Sequence, residues 1–488
     1  MSLIAVTTNT TGYEYDIHSL IKAFYPECDV RVIAESDKLS SDSEYPDITI
    51  NHEDDKFILM VSSSKGIIAN KIGTAGLDKA FKKNALKKLI YETLKEETGK
   101  ELPWGILTGI RPTKIPMTLM DEGATEEEAD SYMKDVYLLS DEKRALAIDI
   151  AKREKAILKD LHYSDGYSLY IGIPFCPTTC LYCSFTSYPI AVWKNRVADY
   201  LTAVEKEIDF VKNIYKDKKL DTIYIGGGTP STLEPDEFRR LLSKITDSFD
   251  LGSLREFTVE AGRSDSITQD KLKALKEYPV TRISVNPQSM NQKTLDFIGR
   301  HHTVEDVKRA FYDARALGFD NINMDIILGL PGEGVPEVSL TMEEIKKLKP
   351  DNLTVHSLAI KRASKMAQWI EKNGLSALNN TDETMKIAQN GAYDMGMKPY
   401  YLYRQKNMSG NFENVGYSLP DKYGIYNILI MEELQTIVAL GAGTVTKRVF
   451  EDGRIERCDN VKDVALYIDK IDEMIKRKED LLGLGQLH

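Results

Sequence analysis

Sulfur is scarce in this sequence: its 488 residues include five cysteines, too few and odd in number for a disulfide framework in so long a chain. No apolar run is long enough to span a bilayer. The first residues, MSLIAVTTNT, lack both the basic region and the long apolar stretch of a secretory leader. A positive surplus is missing too. Lysine and arginine total 64 against 75 acidic residues, a net charge of -11 with the signs interspersed, which argues against a general nucleic-acid coat. These absences predict a cytoplasmic protein with reduced thiols, no membrane span and no nucleic-acid partner.

What is present is enough apolar sequence, 42% of residues, to bury more than one core, and the length suggests about three domains. From Ser168 onward the pattern alternates strand and helix, as parallel βα units do. Strands are predicted over Leu169–Phe175, Thr222–Ile225, Phe257–Glu260, Arg282–Val285, Ile322–Leu328 and Leu353–Ser357. Helices are predicted over Trp193–Ile214 and from about Pro235 to Ile245. Six such units fit an open or partial (β/α)6 barrel, in which chemistry gathers at the C-terminal strand ends. The expected division is an N-terminal α/β domain with a helical linker over 1–163, the barrel over 164–360, and a mainly helical C-terminal domain over 361–488 that covers the substrate.

Three of the five cysteines, Cys176, Cys180 and Cys183, stand together in YIGIPFCPTTCLYCSF at the end of the first barrel strand. Three thiolates on one loop cannot fill a four-ligand shell. A structural zinc site or a ferredoxin-type cluster needs a fourth ligand, and the remaining Cys28 and Cys458 are far away in sequence. Two readings follow: a zinc site completed by a histidine, or a cubane cluster with one iron open to a substrate or cofactor. The other strand ends carry Gly226-Gly227-Gly228-Thr229-Pro230, Glu260-Ala261-Gly262-Arg263, Asn286-Pro287-Gln288-Ser289, and Asp325 running on to Gly329-Leu330-Pro331-Gly332. Glycines admit a ligand to the backbone, while carboxylates and amides suit an amine and ribose hydroxyls. Each feature alone is an ordinary loop cap or salt bridge. Their succession behind a cysteine triad is the informative pattern.

The motifs IPFCxxxCxYCxF, GGGTP, PQSMNxxTLxxIGRxH and NMDIILGLPGE resemble the radical S-adenosylmethionine (SAM) proteins of the oxygen-independent coproporphyrinogen III oxidase family, most of all its HemZ branch. The resemblance covers about 165–360 and continues more loosely to about 447. It implies a radical SAM barrel holding a 4Fe-4S cluster on Cys176, Cys180 and Cys183, with SAM chelated at the open iron and cleaved to a 5'-deoxyadenosyl radical. It implies SAM contacts from Tyr170, Tyr182, Gly227, Gly228, Thr229, Glu260, Gln288, Arg300, Asp325 and Ala359, with Tyr170, Glu260, Arg300 and Asp325 also in catalytic roles. The implied reaction is oxidative decarboxylation of coproporphyrinogen III to protoporphyrinogen IX in haem biosynthesis, with a flavodoxin or ferredoxin as reducing partner. Carboxylates of such a tetrapyrrole call for basic forks, for which Arg263, Lys361, Arg362, Arg404 and Lys406 are candidates.

Two departures matter. Phe185 stands where the decarboxylases carry a further cysteine, and Gly172 where they usually carry histidine. The phenylalanine resembles the haem-chaperone branch, so a haem-binding protein without decarboxylase activity is the alternative. An RNA-modifying radical enzyme is disfavoured, because the sulfur-inserting members carry a second upstream triad and only Cys28 is found there.

Upstream, strands are expected at Leu3–Val6, Asp47–Asn51 and Phe57–Val61. A helix near Leu77–Glu96 is expected to set Phe81, Ala85, Leu86 and Leu89 against a solvated face of Lys83, Lys87, Lys88 and Lys95. Trp104 to Lys114, WGILTGIRPTK, lacks the Gly-Lys-Ser/Thr order of a phosphate loop and reads as a linker packed on the barrel. Helical sequence continues over Thr125–Leu161. Downstream, helices are expected over Lys361–Met397 and Val461–Lys478, with a glycine turn at Ala439–Thr444; the pair His301-His302 reads as a loop.

Overall fold

The computed structural model describes residues 2–34, 39–185, 187–360, 364–374, 378–405 and 412–483. The chain forms two compact units: Met1–Lys152 with Gln368–Ala377 and Leu402–Glu413, and Arg153–Ala367 with Leu378–Tyr401 and Asn414–His488. The chain therefore passes between units more often than a division at 163/164 and 360/361 anticipates, because 368–377 and 402–413 belong with the N-terminal unit.

In the N-terminal unit, β1 (Leu3–Thr8), α1 (Glu14–Phe24), β2 (Asp29–Ala34), β3 (Asp47–Glu53), β4 (Lys56–Ser63), β5 (Gly66–Gly73) and α2 (Lys79–Thr98) precede α3 (Lys114–Asp121), α4 (Glu126–Tyr137) and α5 (Asp141–Leu158), whose last residues, from Arg153, belong to the second unit. The sheet order is β2-β1-β3-β4-β5, parallel about β1 and antiparallel from β3 onward. Its core joins Ile4, Val6, Ile17, Phe24, Leu59 and Leu86. Asp78 caps α2 by accepting from the Phe81 amide, and Gly99 ends it in the left-handed region at φ 68°.

Two expectations for α2 are corrected. Phe81 is exposed, being only in the helix's first turn, whereas Lys87 is buried because Thr108 Oγ1 accepts from its Nζ at 3.0 Å and Asp16 lies 3.8 Å away. Burial lowers the Lys87 ammonium to about 8. The WGILTGIRPTK segment is part of this unit's interior: Ile106 joins the core, and Trp104 Nε1 donates to Glu413 Oε2 at 2.7 Å while fully buried.

The second unit contains β6 (Gly166–Ile173), β7 (Phe175–Cys176), β8 (Tyr188–Pro189), α6 (Ile190–Trp193), α7 (Val197–Ile214), β9 (Lys219–Gly227), α8 (Pro235–Ser248), β10 (Glu256–Gly262), α9 (Gln269–Lys276), β11 (Arg282–Val285), α10 (Gln292–Phe297), α11 (Val304–Ala316), β12 (Ile322–Leu328), α12 (Val335–Leu348) and β13 (Asn352–Ser357). Then follow α13 (Lys365–Asn373), α14 (Asp382–Asp394), β14 (Lys398–Tyr403), β15 (Asn414–Ser418), α15 (Ile425–Glu432), β16 (Ile437–Leu440), β17 (Val445–Val449), β18 (Ile455–Asp459), α16 (Val464–Asp469) and α17 (Ile471–Gly483), some of which lie partly in the first unit. The large sheet runs β14-β15-β13-β12-β11-β10-β9-β6-β16-β17-β18. Its centre, β6 and β9 to β13, is six parallel strands in chain order, the partial (β/α)6 barrel. The C-terminal region supplies flanking strands besides its helices: β15 pairs antiparallel with β13, and β16 pairs parallel with β6.

Period-two alternation explains why these strands form a barrel. Leu169, Ile171, Ile223, Phe257, Ile283 and Val355 represent an apolar, buried set. The alternate set is polar, and its members are linked to one another: Thr222 Oγ1 donates to Ser168 Oγ at 2.8 Å, Thr258 Oγ1 to Glu256 Oε1 at 2.6 Å, and Thr354 Oγ1 to Asn323 Oδ1 at 3.1 Å. Polar groups facing inward with apolar groups toward the helices make a lumen equipped for a polar ligand.

The C-terminal helix is tied to the barrel by a buried charge pair. Lys478 Nζ and Glu207 Oε1 are 2.6 Å apart with neither side chain exposed, and Tyr467, the Gly441 amide and Asn460 also donate to Glu207. Removing one partner strands the other. Lys478→Met should therefore cost about 3–5 kcal/mol, read as a lower urea midpoint for the barrel unit's unfolding transition.

Candidate active site at the cysteine loop

The cysteine loop is held from three sides. Phe175 and Cys176 pair with Tyr188 and Pro189, the Leu181 amide donates to Ile298 O at 2.9 Å, and Thr178 Oγ1 donates to Gly299 O at 3.2 Å. Cys176 and Cys180 are buried and Cys183 is half-buried. Burial pushes the Cys176 thiol up to about 11 and the Cys183 thiol upward as well, so metal uptake must displace protons. Thr229 Oγ1 lies 3.4 Å from Cys176 Sγ as a donor, and Arg263 Nη1 lies 3.5 Å from Cys180 Sγ. Among the described residues, no three thiol, imidazole or carboxylate groups converge to hold a single metal ion. A cubane makes a different demand, because its thiolates bind different irons.

The glycines after β9 form a cradle beside this loop. The Gly228 amide donates to Ile173 O at 2.8 Å and the Thr229 amide to Phe175 O at 2.7 Å. A Cβ on Gly228 would lie 2.7 Å from Phe175 O and 3.0 Å from Cys176 Sγ. One on Gly226 would lie 2.8 Å from the Tyr224 ring and 3.2 Å from the Glu260 carboxyl carbon. Gly227 occupies φ +107°, which L side chains avoid.

Deeper in the lumen, Tyr224 hydroxyl donates to Glu260 Oε1 at 2.5 Å. Tyr170, Tyr224 and Tyr426 stack, with ring centroids 6.1 Å apart for the first pair and 4.5 Å for the second. Burial raises the Glu260 carboxyl to about 7. Burial acts on Asp325 in the same sense, but hydrogen bonds and charge from His356, with Asn323 and Thr354, hold it below the ordinary carboxylate range. The two carboxyls thus differ in protonation near neutral pH.

Gln288 sits at φ +67°, a rare conformation for a side-chain-bearing residue, pinned by its amide to Asp325 O at 2.9 Å and by the Ile327 amide to its own carbonyl at 2.8 Å. Arg300 is buried, donating to Tyr182 hydroxyl at 3.0 Å and Asn286 O at 2.8 Å. Gln288 Oε1, Asn286 Oδ1, Ser284 Oγ and Arg300 Nε are buried without a hydrogen-bond partner among the described residues. Ala359 lies half-buried just beyond β13.

Tyr170, Glu260 and Asp325 thus share the lumen, and Tyr182 and Arg300 meet beside the cysteine loop. Three residues with marked roles went unread in the sequence. Tyr224 shares the register row of Tyr170, His356 has the inward phase of β13, and both were legible from alternation; Tyr426 had no such signal. The basic candidates fare differently. The fork of Arg263 is filled by Asp265, at 3.0 and 2.6 Å, so it serves the cysteine loop and does not reach out to a carboxylate substrate. Arg404 belongs to the N-terminal unit, where it donates to Leu107 O at 2.6 Å. Lys361, Arg362 and Lys406 lie outside the described residues. His301-His302 is loop, as expected.

The comparisons agree with this geometry. The model of the radical SAM superfamily matches residues 170–345. The oxygen-independent coproporphyrinogen-III oxidase-like protein HemZ of Bacillus subtilis (strain 168) is 44% identical over 413 residues, 82% of each chain. The haem chaperone HemW of the same organism is 36% identical over 211 residues, 43% of this chain and 54% of that one. The solved radical SAM enzyme coproporphyrinogen III oxidase (HemN) of Escherichia coli aligns with TM-score 0.51 at 20% identity, over 66% of this chain and 73% of that one, a likeness of fold. The chain belongs to the radical SAM superfamily and, within it, to the family of the oxygen-independent coproporphyrinogen-III oxidase-like proteins. Its cofactors are accordingly a 4Fe-4S cluster and SAM. The residues fit them: three thiols on one loop, a cradle that a single methyl group would fill, and buried polar atoms awaiting partners. Gly228→Ala should therefore lower the iron taken up on anaerobic reconstitution by more than half, with an unchanged far-ultraviolet circular dichroism spectrum.

Proposed function

We propose that this protein is a radical SAM oxidoreductase that decarboxylates coproporphyrinogen III oxidatively, without oxygen, to protoporphyrinogen IX. The observation that carries the reading is the pair Glu260 and Asp325, which faces the lumen beside the cysteine loop and gives one barrel a carboxyl that titrates at about 7 and another held below the ordinary carboxylate range. The bound cluster and SAM supply hydrogen-atom abstraction. Cys176, Cys180 and Cys183 hold the cluster. Glu260, held by Tyr224, would take the cofactor's amine, and Asp325, held by Asn323 at 2.7 Å, would take its ribose hydroxyls. Gln288 and Arg300, with their unsatisfied atoms, meet the remaining polar groups of SAM. A flavodoxin or ferredoxin provides electrons.

A specific pair of observations favours the second reading, a haem-binding chaperone-like protein. Phe185 is 74% exposed two residues beyond Cys183. At Gly172 a Cβ would meet Thr444 Cγ2 at 2.6 Å, so a histidine there would require the Thr444 side chain to move. Anaerobic incubation with SAM, a strong reductant and coproporphyrinogen III separates the two readings. Vinyl product is expected; stoichiometric haem binding without turnover would replace the decarboxylase with the chaperone.

The role given to Glu260 has its own signature. With the carboxyl at about 7, charge appears on Glu260 as pH rises through that value, and a charged carboxylate accepts the N–H groups of the cofactor's amine better above it. SAM affinity should rise about tenfold between about pH 6 and about pH 8. Glu260→Gln should bind weakly with no such rise, as measured by equilibrium dialysis.

A further inference from the structure

Arg263 is 4% exposed, an unusual depth for a guanidinium, and its position follows from a local irregularity. The β10 to β11 register shifts between Glu260 and Gly262, and Gly262 takes φ +63°. Glu260 consequently faces the lumen while Arg263, three residues on, reaches under the cysteine loop. Its Nη1 donates to Thr178 O and Thr178 Oγ1 at 3.0 Å each and lies 3.5 Å from Cys180 Sγ. Its Nε and Nη2 grip both oxygens of Asp265, at 3.0 and 2.6 Å. Behind Asp265, His302 Nδ1 is 4.0 Å away; burial lowers that imidazole to about 4, so it adds no charge. The array is a donor and a cation on one cluster ligand, with an anion directly behind them.

We propose that Arg263 is a positioning residue that sets the reduction potential of the cluster through Cys180, with Asp265 opposing it. The inference rests on the cysteine triad holding the cluster. One electron from a flavodoxin- or ferredoxin-class donor makes the cluster more negative by one charge, and no protein bond is made or broken. An N–H donor and a positive charge at a ligand sulfur favour that more negative state and raise the potential. Asp265 lies on the far side of the guanidinium and cancels part of its charge. The two residues therefore act with opposite signs, which a merely structural role would not produce.

The test is an anaerobic redox titration of the reconstituted full chain, followed by the electron paramagnetic resonance of the reduced cluster, with iron content determined on each sample. Arg263→Gln should lower the midpoint potential and Asp265→Asn should raise it. Each should change the oxidised-to-reduced ratio at fixed potential by about tenfold, or about 59 mV for one electron. Iron content separates loss of the cluster from a shift in its potential. If Arg263→Gln takes up too little iron, Asp265→Asn decides alone: a potential unchanged or lowered at full iron overturns the proposal. Shifts of the same sign in both variants overturn it too. Failure of both to take up iron also overturns it, by assigning the pair to the integrity of the loop.

Discussion

The site depends on a close approach between two neighbouring parallel strands. The Gly228 and Thr229 amides donate to Ile173 O, at the end of β6, and to Phe175 O at 2.8 and 2.7 Å, an approach that a side chain at position 228 would crowd. That approach places Cys176 against Thr229, lays the cysteine loop over the lumen, and leaves Gly226 open for Tyr224 and Glu260. Each side chain here is ordinary. The absence of three others brings them together, and this close approach offsets the entropic cost of consecutive glycines.

Electrostatics inside the lumen follow from the same packing. Glu260 and Asp325 are both buried, yet their protonation differs because their partners differ: a tyrosine hydroxyl for one, and an imidazole with an amide for the other. The strained backbone of Gln288 belongs to the same design, since its amide and carbonyl are both engaged with β12.

Much of this was legible in the sequence, for identifiable reasons. The parallel strands β11 and β12 were read with their observed bounds, because turn residues terminate their apolar runs sharply. Others were read short where polar residues broke the apolar run: Lys219 to Asp221 begin β9 unseen, and Glu256 begins β10. α1, β2 and β5 were missed, β5 because its exposed residues give almost no burial signal. Motif resemblance located the cysteine loop and the lumen carboxylates. It could not foresee that Arg263 turns inward, because that depends on a register shift at Gly262, or that Lys87 is buried, because its partner Thr108 arrives from a distant loop. Tertiary partners decide such cases, and pattern does not carry them.

The pairing of β16 with β6 has a temporal consequence. The strand that presents the cysteines runs from 166 to 173, but one of its edges is satisfied only by residues 437–440, near the far end of the chain. A ribosome must therefore make the chain through residue 440 before that edge is covered. Iron arriving earlier would meet a loop hung on a half-paired strand.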